Sequence, residues 1–177
     1  MKVYISGKIG EESPRPETLA KFQAAEEMLK RKDFEVFVPT KSGLGRSAEL
    51  MSHVHIRLRE RVKGYCDLIA ELDYSKTRDW YSCIMLLDLG ELSWCDAIYM
   101  LPDWKQSPGA MVEYYYAIAT KKKLFFSEEK DAIMHLWSEW SLENQESLSL
   151  SISTKLAEEY ANKHVNEIWI PMEQYRY

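Results

Sequence analysis

The sequence predicts an α/β fold with a mainly parallel, doubly wound sheet. Short apolar runs rich in β-formers (Lys2 to Ser6, Phe34 to Pro39, Ala97 to Leu101, Lys121 to Phe126) alternate with amphipathic stretches long enough to be crossover helices. Strand, helix, strand at this spacing makes a right-handed parallel connection. At 177 residues the chain suits one domain with an appendage rather than two ordinary domains. The simplest strand order is 2-1-3-4, a flavodoxin-like or Rossmann-like arrangement, with a fifth edge strand available at EIWIP near the end.

Each element has a local reason. KVYIS forms the first strand and ends at Gly7, and the loop after it, KIGEESPRP, holds Lys8, Ile9 and Gly10. A loop of that length after a first strand is often a ligand loop. It matches neither G-x-G-x-x-G nor a Walker loop, so no dinucleotide cofactor or ATP is expected. Tyr4 either packs under a helix, which pattern alone favours, or faces the crevice. Pro16 to Lys32 is an amphipathic helix, with Leu19, Phe22, Ala25, Met28 and Leu29 inward and Glu26, Glu27, Lys30 and Arg31 outward.

Ser47 to about Leu72 reads as a further helix with Arg57, Arg59, Arg61 and Lys63 outward, an embellishment near the mouth of a site. In Thr77 to Trp94 the inner stripe is Tyr81, Ile84, Met85, Leu89 and Leu92, and Asp88 falls inside it. An acid stands where a leucine would pack. Either it caps a loop or pairs with an arginine, or it has chemistry to perform. Asp96, opening the next strand, reads as a turn or capping residue.

The stretch Asp96 to Phe126 reads as strand, loop, helix, strand. Ser107 is a good N-cap, and Pro108 suits the first helical position, where its missing N–H has no partner to lose. Gly109 and Ala110 carry almost no side chain, so a ligand can approach the amide-rich helix end closely. Glu113 then emerges among Met111, Val112, Tyr114, Tyr115 and Ile118 rather than in open water. A basic partner elsewhere is the plain explanation; its place just inside a Ser-Pro-Gly-Ala helix entry points instead to function. The helix is apolar all round and carries Tyr114, Tyr115 and Tyr116 in a row, which predicts a homo-oligomer.

Composition narrows the classes. The chain is 46% hydrophobic and 29% charged, with no apolar run approaching a membrane span and no signal-peptide pattern, so a cytoplasmic, membrane-free protein is expected. A net charge of −5 argues against general nucleic-acid binding, which rests on excess Lys and Arg. Three cysteines (Cys66, Cys83, Cys95) without a C-x-x-C pair, and four histidines without zinc-like spacing, predict neither disulfide nor metal; the cysteines fill core. Residues 1–127 are expected to form the α/β domain and 128–177 a helical extension (Glu128 to Trp140, then Ser153 to His164) that docks on the domain or on another subunit.

VYISGKI at the start, LLDLGELSWCDAIYMLPDW in the middle and SPGAMVEYYYAIATKKKLFF after it together resemble the nucleoside 2-deoxyribosyltransferase superfamily. The likeness is to its small deoxyribosyltransferase-like members with a C-D-A-x-x-x-L-P-x-W…S-x-G-A-x-x-E core, and to the related 2'-deoxynucleoside 5'-monophosphate N-hydrolases. The resemblance implies that Glu113 is the nucleophile toward the anomeric carbon, that Asp88 holds sugar hydroxyls or manages the proton, and that Tyr4 orients the nucleophile. It implies that Gly7, Lys8 and Ile9 surround the sugar and any 5'-phosphate, that Ser107 falls at a phosphate-binding position, and that Ser6, Trp104, Gly109 and Ala110 complete the substrate side. The implied substrate is a small deoxynucleoside or deoxynucleotide, cleaved or transferred at its N-glycosidic bond without a cofactor. The alternatives are a non-catalytic nucleotide-binding module of the same fold, and a scaffold whose tail drives assembly.

Overall fold

Four short strands, each flanked by sequence able to cross over a sheet face, assemble as the pattern predicts. In the computed structural model, which describes residues 1–10, 14–43, 76–143 and 150–172, they are β1 (Lys2–Ser6), β2 (Glu35–Phe37), β3 (Ala97–Met100) and β4 (Lys123–Phe126). All pairs are parallel and the order is β2-β1-β3-β4. Tyr4 lies opposite Phe37 on one side and Ile98 on the other, and Ser6 lies opposite Met100. The described helices are α1 (Pro16–Arg31), α2 (Lys76–Ser93), α3 (Pro108–Ala119), α4 (Glu129–Glu143) and α5 (Leu150–Ile168). None is long and apolar enough to cross a membrane. The chain is thus a doubly wound, Rossmann-like α/β fold with C-terminal helices.

Because side chains alternate across a strand, the sheet supports two cores. On one face Val3, Ile5, Ala97, Tyr99, Leu101 and Phe125 pack against Phe22, Ala25, Met28 and Leu29 of α1. On the other, Tyr4, Ile98, Met100, Leu124 and Phe126 meet Leu92 of α2, Ala110 and Ala117 of α3, Ala132 and Leu136 of α4, and Ala161 and Val165 of α5. The C-terminal helices therefore share a core with the sheet of their own chain. Cys83 and Cys95 are buried free thiols.

Three expectations are corrected. The buried stripe of α1 is Phe22, Ala25, Glu26, Met28 and Leu29, while Leu19 is exposed. Glu26 falls between Phe22 and Leu29 on the same face, and its charge is met by Lys30 at 2.7 Å and by Lys41 at 2.5 Å. These lysines hold its carboxyl below the usual range against the opposing effect of burial. EIWIP does not form a fifth strand: α5 continues to Ile168, and only Trp169 bridges in parallel to Phe126. Pro171, which has no N–H to donate, follows directly. Finally, α4 runs beyond Trp140 to Glu143. The helix expected over Ser47 to Leu72, with its arginines, lies outside the described residues.

The outward face of α3 keeps its apolar character in the open, with Met111, Val112, Tyr115 and Ile118 exposed.

Candidate active site

The register of β1 against β3 decides which side chains meet. Tyr4 and Ser6 point to the face covered by α3, whose buried positions Ala110, Glu113 and Ala117 recur at helical spacing. The helix starts where its sequence predicts: Ser107 is the N-cap, its hydroxyl accepting from the Ala110 N–H at 3.3 Å, and Pro108 is in the first turn. That start sets Glu113 one turn inside the helix, directly over β1.

Both carboxyl oxygens of Glu113 are engaged. The Tyr4 hydroxyl donates to Oε1 at 2.7 Å, and the Ser6 hydroxyl donates to Oε2 at 2.5 Å. Tyr4, fully buried, is held by stacking on Phe37, with ring centroids 5.4 Å apart. Asp88, reaching in from α2, lies close enough to the Tyr4 hydroxyl for the two groups to shift each other's ionisation. The two acids thus converge at one phenol, and neither is ion-paired to a basic side chain among the described residues.

Burial dominates their protonation. It pushes Glu113 up to about 8; the Ser6 and Tyr4 hydrogen bonds work against the rise and the Asp88 charge adds to it. It pushes Asp88 up to about 7, opposed by the Tyr4 hydrogen bond and aided by Glu91. Tyr4 itself is held protonated far above its ordinary range by burial and by the two carboxylates. Between the values of Asp88 and Glu113 the pair retains about one proton, held mainly on Glu113.

The remaining expected residues divide between the site and its support. Gly7 is needed for close approach: a Cβ there would stand 2.8 Å from the Leu101 side chain, at the end of the neighbouring strand. The Lys8 N–H donates to Asp103 at 3.2 Å, Lys21 pairs with Asp103, and the same lysine donates to the Lys8 carbonyl at 3.0 Å, so the β1 loop is tied to the β3 loop. The Lys8 residue is exposed, whereas Ile9 packs against the α1-side core. Trp104 is buried against Tyr114 and Phe126, with its indole N–H donating to Asp131 at 2.9 Å, which fastens α4 to this loop. Lys105 completes the charge of Asp131 at 2.7 Å. Ala110 is buried, and Gly109 is half-buried at the helix entry.

One neighbour of the pair was legible only as core. Tyr81, expected in the inner stripe of α2, is 45% exposed, and its hydroxyl lies 3.3 Å from where a Gly109 Cβ would stand, with the Met85 sulfur at 3.1 Å. Its place two turns before Asp88 on one helix face was the available signal. Among the described residues no group of three or more His, Cys, Asp or Glu side chains is placed to hold a metal ion.

Fold and geometry together define a doubly wound α/β protein with two buried carboxyl groups meeting at the junction of its first and third strands. Within it, residues 69–126 match the model of a domain of unknown function, DUF4406. That segment contains Asp88, Trp104, Ser107 and Glu113, and leaves out β1 with Tyr4 and Ser6. No curated protein and no solved structure matches the chain.

Proposed function

We propose that the protein cleaves or transfers the N-glycosidic bond of a 2'-deoxyribonucleoside or its 5'-monophosphate, with Glu113 as nucleophile. The observation that carries this reading is a buried carboxyl gripped by two hydroxyls, beside a second buried acid and without a described basic partner. A purely structural carboxylate at such depth is ordinarily neutralised by a cation.

The reactive form is the one-proton arrangement with Glu113 ionised and Asp88 protonated, the less populated of the two because Glu113 holds a proton more tightly than Asp88. The Glu113 carboxylate attacks the anomeric carbon as the bond to the base breaks, passing through an oxocarbenium-like state that its charge stabilises. The departing base takes the bonding electron pair and a proton from Asp88. Water, or a second base, then gives a proton to the Asp88 carboxylate and attacks the same carbon; the bond from that carbon to the Glu113 oxygen breaks, and both acids return to their starting states. Tyr4 and Ser6 orient the carboxylate and hold its charge; Tyr4 also links it to Asp88.

Incubation with a panel of deoxyribonucleosides and their monophosphates, with free base read by chromatography, tests the proposal. The wild-type chain is expected to release base, and Glu113→Gln to lose at least about a thousandfold in rate while still binding. Because both Glu113 oxygens already accept a hydrogen bond, a non-catalytic nucleotide-binding module is the competing reading. Tight binding by wild type without any base release selects it.

A further inference from the structure

One face of α2 packs beside the start of α3. Tyr81, Met85 and Asp88 are spaced four and three residues apart, so they lie in a row along that helix. The row runs beside the start of α3 in matching order. Tyr81 and Met85 stand at Gly109, and one turn deeper Asp88 and Glu113 meet at Tyr4. Exposure falls along the same line, from 45% at Tyr81 to 7% at Asp88 and 6% at Glu113. Tyr81 therefore marks the rim and the acids mark the floor.

Two facts make the rim tyrosine more than packing. Its hydroxyl stands 3.3 Å from where a Gly109 Cβ would be, a tighter approach than a side chain there would ordinarily leave, and it has no hydrogen-bond partner among the described residues. It is also close enough to the floor for the Glu113 and Asp88 charges, after burial, to push its ionisation upward, which keeps it a donor at every working pH. A protonated hydroxyl on the same helix face as a buried acid suits an oxygen-bearing ligand, since it is a donor where the two carboxyls supply acceptors.

We infer that Tyr81 is a substrate-contacting residue of this site, its hydroxyl donating to an oxygen substituent of the sugar, either a hydroxyl or a 5'-phosphate oxygen. The inference rests on the proposed function for the identity of the ligand. Removing the hydroxyl should weaken binding and leave the chemical step intact, because the group lies two turns before Asp88 and stands at Gly109, one turn before Glu113.

Calorimetric titration of deoxyribonucleosides and their 5'-monophosphates into the full chain carrying Glu113→Gln, with and without Tyr81→Phe, tests it. Tyr81→Phe is expected to raise Kd about five- to tenfold. In the otherwise wild-type chain it should raise KM by a like factor with kcat held within about twofold and the thermal midpoint unchanged. Weakening toward the nucleosides identifies a sugar hydroxyl as the acceptor; weakening toward the monophosphates alone identifies the phosphate. A Kd unchanged within about twofold for every ligand overturns the inference while leaving the glycosidic reading standing. Binding without base release by wild type overturns that reading and leaves Tyr81 to be judged by its Kd ratio. Failure to bind any member of the panel overturns both.

Discussion

The two faces of the sheet are built to different ends. Against α1, the strands contribute Val3, Ile5, Ala97, Tyr99, Leu101 and Phe125, and the helix answers with Phe22, Ala25, Met28 and Leu29; the buried acid of that helix, Glu26, is clasped by two lysines. Against α2 and α3, the same strands contribute Tyr4 and Ser6 to a polar nest that buries Glu113 and Asp88 without a described cation. Buried charge is paired at Glu26, and at Asp131 beside Lys105, but not among the described residues at Glu113 and Asp88. The difference separates a packing face, whose interactions all favour folding, from a working face that gives up stability to keep two carboxyls poised.

Three measurements break or sharpen that contrast. Truncating the packing face should cost most: Phe22→Ala, at a fully buried ring, is expected to lose about 3–5 kcal/mol in urea unfolding, with little dependence on pH. The working face should respond in the opposite direction. Folding raises the Glu113 carboxyl from its ordinary 4.5 to about 8, so its contribution to stability is fully present below pH 4.5 and is lost as pH rises toward 8. Glu113→Gln removes that loss, and should stabilise the protein by on the order of 2–3 kcal/mol at pH 8 and by almost nothing at pH 4. Equal stability of the two proteins across this range would remove the distinction between the faces.

The smallest effect is kinetic. If the one-proton state is the active one, kcat/KM should be greatest between the values of about 7 and about 8 held by Asp88 and Glu113. It should fall about tenfold per pH unit on either side. At low pH Glu113 cannot attack; at high pH Asp88 has no proton to give. A profile flat from pH 5 to 9 would mean that neither carboxyl titrates in the reaction.

Much of this was readable along the chain. The start of α3 is stated outright by Ser107 and Pro108, and the cap is where those residues put it. Asp88 and Glu113 were visible as acids inside apolar stripes, a conflict of pattern that local propensity cannot explain. What periodicity could not supply was the partner. Ser6 looked like the end of a strand or a substrate contact, yet its hydroxyl holds Glu113. Trp104 reads as a substrate residue, and sequence gives no sign that its indole ties down Asp131 on α4. Glu26 reads as an outward charge, because a helix position says nothing about Lys41 arriving from the turn after β2.

By itself the sequence determined the elements, their caps, the parallel order they allow and the two misplaced acids. These follow from spacing, capping chemistry and φ preference within a few residues. Only the tertiary structure decided that Tyr4 and Ser6 share one carboxyl and that Tyr81 stands over Gly109. Such meetings join residues far apart in the chain, and they depend on strand register and helix packing, which no short window of sequence contains.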